Sequence, residues 1–111
     1  MPGSSPTKHV QTVTSTVTRE KRPSLFRVVL LNDDYTPFDF VISLLMSVFG
    51  KTSNEAQYVT MQVHLTGSGV AGVYTRDVAR TLAAKAVSLA RSQGHPLKLD
   101  VQKMLERRTM T

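Results

Sequence analysis

The chain has 111 residues, no cysteine, and fourteen Lys and Arg against eight Asp and Glu, a net charge of +6. That length suits one small domain with tails and a single core. The missing cysteines exclude disulfides, a thiolate nucleophile and a Cys-based zinc site. No apolar run approaches the roughly 18 residues of a membrane span, and no secretory leader is expected. The basicity would suit nucleic acid or an acidic partner. Its distribution argues against nucleic acid: Lys8, Arg19, Lys21, Arg22 and Arg27 crowd toward one end, and Lys103, Arg107 and Arg108 toward the other. No aromatic residues interleave with them to stack on bases.

Residues 1–23, rich in Ser, Thr, Pro and Val, read as a flexible arm. The alternation in Val10–Thr18 could make a strand, but has no evident partner. Phe26–Leu31 is a strand, apolar enough to be mostly buried. Asn32–Tyr35 forms a turn. Thr36 is read as a helix N-cap, Pro37 as the first helical residue and Asp39 as the end of a Thr-x-x-Asp box. The helix should reach Phe49 and stop at Gly50, with Phe38, Val41, Ile42, Leu45, Val48 and Phe49 on one face. Thr52–Glu55 is a second capping box and opens a helix to Thr66, with Ala56, Val59, Thr60, Val63 and His64 on one broad face.

Gly67-Ser68-Gly69 breaks the chain, and Val70–Tyr74 is a short strand. Thr75 caps a third helix with a stripe of Val78, Ala79, Leu82, Ala86, Leu89 and Ala90. Gly94 and Pro96 end it, and Leu97–Val101 alternates as the last strand. The prediction is an α+β domain over residues 24–105: three helices covering a three-stranded sheet, in the order β-α-α-β-α-β. A basic tail, 106–111, comes after it.

Asp33, Asp34 and Asp39 crowd one turn of a cationic chain. This is either a place to hold something positive or an Asx turn with a helix cap. No enzyme signature accompanies it. Gly67-Ser68-Gly69 lacks the flanks of a nucleophile elbow and is too short for a phosphate loop. Asn32-Asp33-Asp34 lacks the later residues of a calcium loop, and His9, His64 and His95 have no metal-ligand spacing. No cofactor is expected. If the second helix packs beside the Asn32–Thr36 turn, His64 and the turn's oxygens converge as acceptors for an ammonium group, next to apolar side chains. Such a pocket suits a free amino terminus followed by a bulky apolar side chain.

From Ser24 to Val101 the chain resembles the ClpS family of N-degron adaptors. The resemblance rests on Leu-Asn-Asp-Asp-Tyr-Thr-Pro (31–37), Phe-Val-Ile (40–42), Val-His (63–64), Gly-Val-Tyr-Thr (72–75) and His-Pro-Leu (95–97). It implies an adaptor, not an enzyme. Such an adaptor captures proteins beginning with Leu, Phe, Tyr or Trp and delivers them to a Clp AAA+ unfoldase of the ClpA or ClpC kind, with the N-terminal arm helping delivery. By motif, Asn32, Asp34 and His64 would bind the α-amino group, and Asp33 and Thr36 would line the entrance. Leu30, Phe38, Val41, Thr60, Val63 and Leu97 would line the side-chain pocket. A monomer is expected, in the bacterial cytoplasm or, as the second choice, the plastid stroma.

Two departures stand out. The family commonly has Met at the positions of Phe38 and Thr60, which implies a reshaped mouth and an altered ranking of terminal residues. On the third helix, where the resemblance implies unfoldase docking through Asp77, Arg80 and Leu82, Arg80 reverses a charge and Leu82 replaces a Lys. A divergent paralogue, or a basic nucleic-acid or ribosome-associated domain using Arg76, Arg80 and Arg91, is the alternative.

Overall fold

A computed structural model describes residues 23–105. The arm up to Arg22, the strand considered over Val10–Thr18 and the basic tail lie outside the described residues. Six elements succeed one another in chain order: β1 (Leu25–Leu31), α1 (Phe38–Ser47), α2 (Ser53–Thr66), β2 (Ser68–Thr75), α3 (Arg76–Ser92) and β3 (Lys98–Lys103). The α+β class, the three-stranded sheet and the order of elements agree with the sequence reading.

The most apolar strand takes the middle of the sheet. β1 lies between β2 and β3 and is antiparallel to both. Successive side chains point to opposite faces, so Phe26, Val28 and Leu30 share one face. Val28 and Leu30 are fully buried, and Phe26 packs against the same core. Val41, Leu44 and Leu45 of α1, Ala56, Val59 and Val63 of α2, and Ala79, Ala86 and Ala90 of α3 complete it. The three alanines let α3 lie close to the sheet. A bulge breaks the β1–β2 register between Val28 and Val29, and the extra residue, Ala71, is fully buried.

Local chemistry explains most boundaries. The Thr52 hydroxyl accepts from the Glu55 amide (3.2 Å), and the Glu55 carboxylate accepts from the Thr52 amide (2.9 Å), a complete capping box. α2 ends where Gly67 adopts φ +96°, a left-handed conformation that suits glycine.

Several expectations are corrected. α1 begins at Phe38 with Pro37 in the cap position, so there is no side-chain cap bond, and the Thr36 hydroxyl, one residue earlier, donates to Asp33. There is thus no Thr-x-x-Asp box. The helix closes at Ser47 rather than Phe49. Leu44, left out of the sequence-derived stripe, is in the core, whereas Phe38 is 43% exposed. Thr75 sits at the N-cap of α3 but makes no side-chain cap bond. β2 starts at Ser68 because Ser68 and Gly69 pair with Leu31 and Leu30. β3 runs on to Lys103, opposite Phe26.

Gly69 also sets how closely α2 approaches β2. A β-carbon there would fall 2.8 Å from Val63 Cγ2 and 3.3 Å from Val59 Cγ1. Gly69→Val should push α2 off the sheet and destabilise the fold by about 1–3 kcal/mol. Urea unfolding measures this, and an unchanged midpoint would mean the contact is readily relieved.

Candidate functional site

β1 ends at Leu31, and the next amide, Asn32 N–H, donates to the Gly67 carbonyl at 3.0 Å. This bond ties the start of the β1–α1 loop to the end of α2. The loop is then braced from within. Asp33 Oδ1 accepts from the amides of Tyr35 and Thr36 (2.8 Å each), and Oδ2 accepts from the Thr36 hydroxyl at 2.8 Å. The Asx-turn reading is therefore right for Asp33. Partial burial pushes its carboxyl pKa up, but the hydrogen bonds from Tyr35 and Thr36 outweigh this, and the nearby His95 charge adds to them. The net result is a carboxyl below the ordinary value of 3.8.

Between this loop, α1 and α2 lies a small pocket. It is lined by Leu31, Asn32, Asp33 and Thr36 from the loop side, Phe38 and Val41 from α1, Thr60, Val63 and His64 from α2, and Leu97 from the turn before β3. The space enclosed is about 20 Å³, room for one water. The Phe38 ring meets the His64 ring edge-on, with centroids 5.0 Å apart and planes at 71°. Phe38 thus stands across the mouth.

The structure brings together Asn32, Asp33, Thr36, Phe38, Val41, Thr60, Val63, His64 and Leu97 as the sequence reading grouped them. Two residues are placed elsewhere. Leu30 is fully buried in the core, and its neighbour Leu31 takes its place in the lining. Asp34 is exposed on the loop and does not line the pocket. Thr60 is 3% exposed, and its hydroxyl donates to the Ala56 carbonyl at 2.7 Å. The hydroxyl is committed to the helix, so Thr60 presents the pocket mainly with its methyl group.

Sequence reasoning missed the anchor of the far wall. Arg91 Nη1 donates to the carbonyls of His95 (2.8 Å) and Leu97 (2.9 Å), fixing the turn that presents Leu97. A cationic side chain in the last turn of a helix, next to unpaired carbonyls, was the available signal. Arg91 is accordingly a bracket of the fold and not a free cation of the basic surface. Leu82, grouped with the docking residues, is half-buried against the core, whereas Asp77 and Arg80 are exposed. Among the described residues no group of His, Asp or Glu could hold a metal ion, and no helix is long and apolar enough to cross a membrane.

The family model for the ATP-dependent Clp protease adaptor protein ClpS matches residues 21–100. The chain belongs to the ClpS family. The ClpS adaptor of Deinococcus radiodurans is 48% identical over 99 residues, covering 89% of this chain and 88% of that one. ClpS 1 of Rhizobium meliloti is 42% identical over 101 residues, covering 91% and 86%. Among solved structures, Agrobacterium tumefaciens ClpS2 bound to L-phenylalaninamide superposes with a TM-score of 0.73 at 41% identity, covering 75% of this chain and all of that one. ClpS proteins are adaptors of the ATP-dependent Clp protease.

The Asp33 bracing has a pH signature. Its folded pKa lies below the unfolded value, so its stabilisation is full above about pH 4 and is lost as pH falls through the lower, folded value. Asp33→Asn keeps an acceptor for the two amides but removes the acceptor for the Thr36 hydroxyl. It should cost about 1 kcal/mol at pH 7. The gap from wild type should shrink below about pH 4, and denaturation at several pH values would show it. A gap that stays constant down to about pH 2.5 would place the cause elsewhere.

Proposed function

We propose that this ClpS protein binds the free first residue of proteins beginning with Leu, Phe, Tyr or Trp and delivers them to a Clp AAA+ unfoldase. In this reading Asn32 and His64 accept from the α-amino group, and Asp34 adds its charge from the loop above them. Asp33 and Thr36 shape the entrance. The first side chain enters between Phe38, Val41, Thr60, Val63 and Leu97, with Leu31 lining the pocket in front of the buried Leu30.

The observation that carries the reading is the convergence of acceptor groups and an apolar pocket at the loop–α2 junction. Phenylalaninamide, bound by the related ClpS2, is a molecule of that chemistry: a free amine, an aromatic side chain and an amide where a chain would continue. Burying a Leu or Phe side chain contributes about 1.5–3 kcal/mol, and each hydrogen bond to the charged amine about 1.5–3 kcal/mol. After the entropy of association, a dissociation constant near micromolar is expected, about −8 kcal/mol. Delivery is assigned to the exposed start of α3, around Asp77 and Arg80, and to the N-terminal arm. The cytoplasm is the compartment that this role implies.

Phe38 sets the selectivity. With about 20 Å³ free behind it, its ring must swing aside before a bulky side chain enters. Fluorescence anisotropy with peptides starting in Leu, Phe, Tyr, Trp, Ile, Val and Ala should give micromolar binding for the first four only. Acetylating the Phe peptide should abolish binding, and loss of discrimination between free and acetylated termini would defeat the reading. In the Phe38→Met, Thr60→Met double variant the ranking of terminal residues should change, and identical affinities would clear both positions of any part in selectivity.

His64 is tested by removing its ring. His64→Ala deletes an acceptor for the ammonium group, so peptide binding should weaken by about tenfold or more. Binding should also weaken as the ligand amine loses its proton above about pH 8. Anisotropy with the Phe peptide measures both, and an unchanged affinity in His64→Ala would remove His64 from the mechanism.

A further inference from the structure

The turn between α3 and β3 carries one wall of the pocket, and its backbone is thinly held. Gln93 N–H and His95 N–H donate to the Ala90 carbonyl (3.1 and 2.9 Å), and Gly94 N–H donates to the Arg91 carbonyl (3.0 Å). These bonds close the end of α3, and beyond His95 they stop. Pro96 has no N–H to give. Pairing with β1 begins only at Lys98, opposite Leu31. Leu97 stands in the gap, 2% exposed and lining the pocket.

A side chain spans that gap. Arg91 Nη1 donates to the carbonyls on either side of Pro96, those of His95 and Leu97. Among the described residues no backbone amide of a turn or loop donates to the Leu97 carbonyl, so Arg91 is what ties it down. The His95 ring braces the same turn against α1, with its centroid 4.6 Å from that of Phe40. The other end of the pocket is built differently. Phe38 is 43% exposed and can turn outward into solvent. With about 20 Å³ enclosed, room for a first side chain must come from movement of the lining. The mouth is free to move, whereas the Leu97 wall is buried and tied.

We infer that Arg91 is a positioning residue for recognition of the first side chain: by holding the Leu97 wall it sets the depth of the pocket, and with it the ranking of Leu, Phe and Trp termini. The inference rests on the pocket reading above. Arg91 does not line the pocket and acts through the backbone of Leu97. A fixed wall penalises the largest side chain most, because an indole needs more depth than an isobutyl group and overfilling a packed site is unfavourable. A wall released from Arg91 yields to the larger group.

The test uses the full chain, wild type and with Arg91→Met or Arg91→Lys. The ligands are three peptides that differ only in beginning with Leu, Phe or Trp, and competition anisotropy gives the affinities. Arg91 is exposed in the last turn of α3, and methionine and lysine are good helix formers, so the fold is retained. In Arg91→Met the affinity for the Trp peptide relative to the Leu peptide should rise by about fivefold. Both native bonds leave one nitrogen, which a lysine ammonium can imitate with its three donors, so Arg91→Lys should stay nearer the wild-type ratio. A variant that is merely less folded weakens every peptide by one common factor and leaves the ratio alone. An unchanged ratio in Arg91→Met, with or without such a common loss, would therefore overturn the inference and leave the pocket reading intact. A lysine variant displaced as far as the methionine one would overturn it too. If none of the three peptides binds wild type, the pocket reading falls and the inference falls with it.

Discussion

The bond from the Asn32 amide to the Gly67 carbonyl decides where everything else in the site stands. It joins the end of the central strand's run to the point where α2 stops. Gly67 can offer that carbonyl because its left-handed conformation turns the chain away from the helix axis. Without this join, the polar loop and the helix carrying His64 would be separate pieces of surface. With it, oxygen acceptors and an imidazole share a rim around an apolar hole. The close approach of α2 to β2 at Gly69 holds the same geometry from behind.

The loop divides its work between neighbouring residues of similar chemistry. Asp33 is tied by three hydrogen bonds into the turn, so its carboxylate serves the shape of the loop and keeps only limited capacity for anything else. Asn32 has its backbone in the join and its side chain at the rim. Asp34 is left in solvent. A basic protein thereby carries a local acceptor surface whose shape is held by hydrogen bonds within the loop.

Much of this was legible in the sequence because short-range rules govern it. The capping box at Thr52, the glycines that stop helices and the order of elements depend on residues a few positions apart. The features that escaped depend on competition or on parity. Thr36 is a good cap in isolation, but the helix starts one residue later, with Pro37 at the cap, and the Thr36 side chain turns to Asp33. Leu30 and Leu31 are equally apolar, and only the pleat of β1 against the helices sends the first into the core and brings the second to the pocket. Arg91 looks like one more surface charge until the turn after α3 brings two carbonyls to it. Thr60 adds a hydroxyl on paper, yet the preceding helical turn absorbs it.

Arg91 has a mechanical consequence as well. α3 is 17 residues long, a rod of about 25 Å. One end displays Asp77 and Arg80. The other, through Arg91, grips the backbone that presents Leu97 to the pocket. The two ends belong to one stiff lever whose alanines lie flat on the sheet. The wall that Leu97 forms is tied to α3 by two hydrogen bonds, and its position follows that of the helix.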